Sequence, residues 1–282
     1  MSPRGWQIRR LAVCASTELE LARWLAQRDG AGLALDLPLA PASGLKGLAV
    51  VSRRQRHGQG QQGRLWHSPP GGLWLSAAMP WPEASASASS SASASASASA
   101  SASASGLALA VAVSLAEPLL ELGVAVQLKW PNDLLVAGRK LAGILPRLRW
   151  RGSQLRWAQV GVGINGVNRV PPGAISLAQA LGARRFHPKA CPGRLLAPVL
   201  EAIARAPGLC LNPELLLGRA EALLLRPSGG LWHGGNLWQV VGLESSGGLI
   251  LERSGIRTTL QQRFAQELPA QGEPSAARRA DF

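Results

Sequence analysis

The sequence predicts an α+β protein with a small β domain towards its C-terminal end. Strand-like runs at 47–52, 72–80, 124–129 and 154–161 are interleaved with helical patterns at 18–27, 106–122 and 194–206. Past residue 213 the pattern changes to short strands at 237–243, 247–252 and 258–263, separated by Gly and Ser turns, which is the sparse pattern of a small β-barrel. A chain of 282 residues, 46% hydrophobic, can bury one sizeable core and a satellite domain.

Composition excludes several classes. No apolar run reaches membrane-spanning length, and the run at 11–14 after Arg4, Arg9 and Arg10 is too short for a signal peptide. The expectation is a soluble, cytoplasmic protein. Cys14, Cys191 and Cys210 are odd in number and far apart, which suits a reducing compartment and gives no disulfide framework. His57, His67, His187 and His233 are scattered, so no zinc spacing is visible. The formal net charge of +14 admits nucleic acid, an acidic protein or a phosphorylated ligand as partner, without choosing among them. Residues before Ser16 are too few for a DNA-binding domain, so no DNA contact is expected.

Taken in order, Leu19, Ala22, Leu25 and Ala26 have helical spacing, and Ser16 or Thr17 would cap that helix. After the strand at 47–52 comes a loop with glycines at 58, 60 and 63, whose backbone amides can wrap closely round phosphate. It lacks the Gly-Lys-Ser/Thr ending of a P-loop, and no helix opens after it as a dinucleotide fingerprint requires. Residues 84–105 are an almost pure Ser-Ala repeat that cannot offset its ordering entropy, so a disordered insertion is expected. The apolar helix at 106–122 has Gly123 as its stop and a kink expected at Pro118.

The most informative stretch is 129–145, KWPNDLLVAGRKLAGIL. Pro131 has no amide hydrogen and pushes Trp130 towards an extended backbone, while Asn132 and Asp133 form turns. Lys129 is therefore read as the last residue of a strand, aimed beyond its end. Apolar runs at 134–137 and 141–145 around Gly138-Arg139 signal a hairpin. The strand at 154–161 leads into GVGING at 161–166, where two glycines permit close backbone approach and Asn165 offers donor and acceptor. Helices are expected from Ser176 to 181 and at 213–224, and a disordered tail at 265–282.

Four motifs in this order, Ser16-Thr17, the glycine loop running to Arg64, Trp66 and Ser68-Pro69, KWPND with KLAGIL, and GVGIN, resemble those of the biotin–protein ligases. The resemblance covers about residues 10–182 and is that of the type without an N-terminal DNA-binding domain. It implies a mixed-sheet catalytic domain of the biotin/lipoate ligase type at 1–210 and an SH3-like C-terminal domain at 213–264. It implies an ATP-dependent ligase that forms biotinyl-5′-adenylate and passes biotin to a lysine of the biotin carboxyl carrier protein of acetyl-CoA carboxylase. Mg²⁺ is implied with ATP, with no ligands assigned.

By the same resemblance, Lys129 and Arg64 carry the catalysis. Ser16, Thr17, Gln55 and Lys129 contact biotin, and the strand starting at Gly72 walls its pocket. Gly58, Gln59, Gly60, Gln61, Arg64, Trp66, Asn132, Lys140 and Asn165 hold ATP or the adenylate. The chain departs from the family pattern at Glu18, where Asn or Gln is usual, and at Gln59 and Gln61, where the family has arginines. Either Arg64 carries more of the phosphate charge, or Arg56 reaches in, or the adenylate is held loosely. The alternatives are a lipoate or octanoate ligase or transferase of the same fold, a basic nucleic-acid-binding protein, and a degenerate ligase that only binds biotin.

Overall fold

A computed structural model describes residues 4–30, 47–81, 106–151 and 154–261. The expected Ser-Ala insertion and the expected tail lie outside the described residues. The elements are β1 (Trp6–Leu11), α1 (Thr17–Gly30), β2 (Gly47–Ser52), β3 (Gly58–Gln59), β4 (Leu65–Trp66) and β5 (Leu73–Pro80). They continue with α2 (Leu107–Glu121), β6 (Gln127–Lys129), β7 (Asp133–Val136), β8 (Arg139–Arg151) and β9 (Gln154–Ile164). Three helices follow, α3 (Leu177–Ala180), α4 (Pro192–Cys210) and α5 (Pro213–Leu223), then β10 (Leu231–His233), β11 (Asn236–Leu243), β12 (Leu249–Arg253) and β13 (Ile256–Leu260).

A seven-stranded mixed sheet, order β1-β2-β5-β9-β8-β7-β6, is the centre of the α+β architecture. Only the β1–β2 pair is parallel. Side chains alternate across its faces. On one face Ala49, Leu73, Leu75, Ala77, Met79, Ala142, Ile144, Val160, Val162 and Ile164 pack in one core with α2 and α4. α2 is buried nearly all round because Leu, Val and Ala leave only Ser114 to satisfy before its last turn. It runs on through Pro118 to Glu121, and the proline leaves the Ser114 carbonyl without its helical amide donor. Gly123, with φ +81, then stops it.

The other face is covered at one end by α1, through Leu21, Trp24 and Leu25 against Leu48, Val50, Ala78 and Trp157. Towards β8 it carries almost no bulk. Ser76, Gly143, Gly161 and Gly163 occupy the positions that would otherwise fill it, since they alternate with the helix-facing residues of β5, β8 and β9.

β1 is missing from the sequence reading because Arg9 and Arg10 break the apolar alternation and only Trp6 of its six residues is buried. β6, by contrast, ends at Lys129 as the Trp-Pro corner implies. The β7–β8 hairpin turns on Ala137-Gly138, both at positive φ.

β10 to β13 form a four-stranded antiparallel sheet in sequential order over a small core of Leu224, Val240, Leu249 and Leu251. The barrel expected here has no closing β10–β13 pair among the described residues. The sequence groups 213–224 with this unit, yet Leu216 and Ala220 of α5 join the main core, and Glu117 of α2 pairs with Arg205 at 2.9 Å and Arg219 at 2.8 Å. Among the described residues, no helix is long and apolar enough to cross a membrane.

Candidate functional site

The bare part of the sheet is the floor of a cavity of about 330 Å³, within the range of small-molecule sites. α1 and the 55–66 loop wall it, and the corner at Lys129–Asp133 closes the far side.

At the α1 end the polar groups are buried and mutually bonded. Ser16 stands before the helix, and its Oγ accepts from the Glu18 amide at 3.2 Å. The Thr17 amide instead donates to Gln55 Oε1 at 2.7 Å. Thr17 Oγ1 lies 3.0 Å from that same oxygen and 2.8 Å from Ser76 Oγ. Gln55 Nε2 donates to Ser68 Oγ at 2.9 Å. The result is a cluster of hydroxyl and amide groups with both donors and acceptors on the wall of the cavity. Its spare lone pairs and hydrogens can be taken up by a polar ligand end.

The glycine loop has three kinds of glycine. Gly60 lines the cavity, whereas a Cβ at Gly58 would meet the Trp66 carbonyl oxygen at 2.4 Å, so that glycine lets β3 and β4 close on each other. Gly63, at φ +73, makes the turn back towards Arg64. Arg64, Gln59 and Gln61 line the cavity, and Arg56 is not among the lining residues.

Trp66 follows the loop, and its indole lies against the sheet itself. A Cβ at Gly163 would sit 2.6 Å from Trp66 Cε2, and one at Gly143 would sit 2.8 Å from Trp66 Cζ3. The glycines of GVGIN and KLAGIL therefore make a seat for this ring. Trp74 meets its edge, with centroids 6.4 Å apart, and Lys140 Nζ lies 4.8 Å from its centroid. Lys140 also pairs with Asp133 Oδ2 at 2.7 Å. Two buried atoms of this group, Trp66 Nε1 and Asp133 Oδ1, have no hydrogen-bond partner among the described residues, which is a costly arrangement unless something else supplies one.

Lys129 lies at the mouth of the corner, exposed, before a cis Trp130-Pro131 bond. Asn132 fixes the corner to β8, donating from Nδ2 to the Ile144 carbonyl at 2.7 Å and accepting from the Ile144 amide at 2.9 Å. The lining carboxylates are both engaged, Asp133 by Lys140 and Glu18 by Arg147. Lys129 and Arg64 form no ion pair among the described residues, so two cations are left to meet an anionic ligand.

Glu18 lines the cavity with only 12% of its side chain exposed. Burial raises its carboxyl above the ordinary value, and the Arg147 guanidinium offsets this only in part. The folded chain thus holds that proton more tightly than the unfolded chain. Ionised Glu18 subtracts stability as the pH rises through the unfolded and then the folded value. Glu18→Gln is expected to melt higher than the wild type at pH 8, by about 2–4 °C for each ~1 kcal/mol relieved. The difference should shrink towards zero below about pH 4, where the wild-type carboxyl is itself protonated. Thermal melts at the two pH values check this, and a lower Tm at pH 8 would mean that the ion pair outweighs the burial.

The structure therefore brings Ser16, Thr17, Gln55, Gln59, Gly60, Gln61, Arg64, Trp66, Lys129, Asn132 and Lys140 to one cavity. Three expected site residues do not line it. Gly58 faces the Trp66 carbonyl, and Gly72 makes room for Trp74, whose Cζ2 would lie 2.1 Å from a Cβ there. Asn165 is buried, donating to the Lys140 carbonyl at 3.3 Å and accepting from Asn168 at 3.1 Å. Ser76, Asp133, Gly143 and Arg147 were not singled out from sequence. Ser76 had a signal, a lone hydroxyl in the apolar run LWLSAAMP. Arg147 had none, because its partner Glu18 lies far away in the chain.

Residues 43–165 match the sequence model of the Biotin/lipoate A/B protein ligase family. The chain is 31% identical over 156 residues to the bifunctional ligase/repressor BirA of Bacillus subtilis, covering 52% of this chain and 43% of that protein. It is 34% identical over 121 residues to BirA of Escherichia coli, covering 42% and 33% respectively. The chain thus spans less than half the length of these curated relatives. The fold is similar to that of the biotin protein ligase of Aquifex aeolicus in complex with biotin and ATP, with a TM-score of 0.63 and 23% identity over 91% of this chain and 96% of that one.

Proposed function

Because residues 43–165 match the sequence model of the biotin/lipoate A/B protein ligase family, we propose that this chain is an ATP-dependent biotin–protein ligase. Its carboxylate substrate attacks the α-phosphorus of ATP. The new bond is carboxylate oxygen to phosphorus, the bond broken joins the α-phosphorus to the bridging oxygen, and pyrophosphate leaves. A lysine amine of a carrier domain then attacks the acyl carbon, loses a proton and releases AMP. The carrier is the biotin carboxyl carrier protein of acetyl-CoA carboxylase, and the setting is the cytoplasm. No enzyme nucleophile takes part, so catalysis is positioning and charge stabilisation.

The observation that carries this reading is that Lys129 lines one cavity together with the hydroxyl–amide cluster, the glycine loop and the Trp66–Lys140 pair. Thr17, Gln55 and Ser76 offer donors and acceptors to a ureido group, which has both; an aliphatic or dithiolane end would leave them facing carbon. Lys129 meets the reacting carboxylate and α-phosphate. Arg64 takes phosphate charge. Asn132 holds the corner, Lys140 and Trp66 receive the nucleotide, and Asn165 supports that end from behind through the Lys140 carbonyl.

No group of three or more His, Cys, Asp or Glu among the described residues could hold a metal by itself. The donor set fits Mg²⁺ as a counter-ion carried in by the phosphates, with Asp133 Oδ1 and Glu18 Oε2 the lining carboxylate oxygens that have no hydrogen-bond partner among the described residues. Its chemistry there would be neutralisation of phosphate charge.

Incubation with radiolabelled biotin, ATP and a carrier domain tests the reading, with lipoate as competitor. Label on the carrier that lipoate does not displace is the expected result. Transfer of lipoate or octanoate in preference to biotin, or no ATP-dependent label at all, would overturn it. Gln61→Arg adds a cation to the closing loop, and adenylate retention or its rate of formation is expected to rise about tenfold or more, as for one added charge-stabilising donor. Single-turnover release of the labelled intermediate measures it.

A further inference from the structure

The strand that delivers Lys129 is a weak one. β6 has three residues and is the last strand of the sheet, with β7 as its only full partner. Its outer edge is completed by the segment that leaves α5 for the C-terminal sheet. Leu128 bridges Leu224 in parallel, and the Leu225 amide donates to the Leu128 carbonyl at 2.8 Å. On the other side of the lysine, Trp130 Nε1 donates to the Gly247 carbonyl at 2.9 Å. Gly247 lies in the turn between β11 and β12, which is closed by the Gly247 amide on the Glu244 carbonyl and the Glu244 amide on the Gly248 carbonyl. The Trp130 ring packs against the main core and against the small core of the C-terminal sheet. Both chain neighbours of Lys129 are thus held by hydrogen bonds from the C-terminal part of the chain.

We infer that the C-terminal sheet sets the position of Lys129, with Trp130 as the positioning residue. This rests on the reading of Lys129 as the cation that meets the reacting oxygens. A three-residue edge strand has too few hydrogen bonds to fix a side chain to within the fraction of an ångström that such a role needs. The grip at 128 and 130 supplies the missing constraint. The activation step therefore depends on a sheet that contributes no residue to the cavity lining.

Two full-length variants test it in biotin-dependent pyrophosphate release. Trp130→Phe keeps an aromatic ring, though a smaller one, and removes the N–H. Gly247→Ala lies outside the cavity and moves the turn, because its φ of +85 strains alanine and its Cβ would meet Leu109 Cδ1 at 3.1 Å. Each is expected to lower kcat about tenfold, the order of loss for a sub-ångström misplacement, with KM for biotin and ATP within about twofold. Hydrogen exchange at the Leu128 and Lys129 amides should quicken in both. Unchanged kcat in both would overturn the inference, as would a loss that merely tracks the unfolded fraction in a thermal melt. Loss in Trp130→Phe with wild-type kcat in Gly247→Ala would also overturn it, because Trp130 would then act only by touching the ligand. A wild-type chain that releases no pyrophosphate with biotin would instead fail the functional reading itself.

Discussion

Lys129→Ala is expected to cut pyrophosphate release to background, a loss of about 10³-fold or more, while the protein stays folded. The size follows from the charge that must be met. A carboxylate and a triphosphate approach one another, and removing one preorganised donor from such a site costs about 10²–10³ in rate. Here the donor is also a full cation, and it has no partner of its own among the described residues to compensate for its loss. The fold should not notice. The side chain is exposed, and the corner is fixed by Asn132, Pro131 and the bonds at Leu128 and Trp130. Pyrophosphate exchange and a melting curve on the same sample check it. Lys129→Arg should restore little, since a planar fork does not replace a compact ammonium at a fixed point. Wild-type exchange in Lys129→Ala would remove the lysine from the reaction.

The second large effect is expected from a single methyl group. In Gly163→Ala the new Cβ would sit 2.6 Å from Trp66 Cε2 and 2.7 Å from its Nε1, and neither β9 nor the ring can yield cheaply. β9 is the middle strand of the sheet, bonded on both sides, so the ring must lift. Overpacking of this kind costs about 1–3 kcal/mol. If Trp66 receives the nucleotide, most of that cost should fall on ATP, raising its KM about 10- to 100-fold with biotin affinity within about twofold. Steady-state kinetics in ATP at saturating biotin measures the first, and equilibrium binding of labelled biotin the second. Equal losses for both substrates would mean that the ring supports the whole cavity and has no special tie to the nucleotide.

How much of this was legible beforehand depends on how local each signal is. The Lys129 corner could be read because Trp-Pro-Asn-Asp constrains its own backbone, and β6 does end at Lys129. The role of the glycines was read only halfway. Gly161 and Gly163 suggested close approach of a ligand, yet what approaches Gly163 is Trp66, almost a hundred residues earlier. Spacing along a strand tells which side chains are small and cannot tell what fills the space they leave. Asn165 lies behind the cavity wall for a related reason. A residue with donor and acceptor can serve a ligand or the backbone, and here the Lys140 carbonyl and Asn168 take both. The Glu18–Arg147 pair joins distant segments, and no pattern within either could announce it.

The seven-stranded sheet is aliphatic where α2 and α4 lie and hollow where Ser76, Gly143, Gly161 and Gly163 lie. Its two sides are therefore under opposite pressures during evolution. On the helix side, a larger or better-fitting side chain can raise heat resistance without touching chemistry. On the hollow side, an added carbon either narrows the cavity or, at Gly143 and Gly163, displaces the Trp66 ring, so adaptation to temperature must be sought among the residues facing the helices.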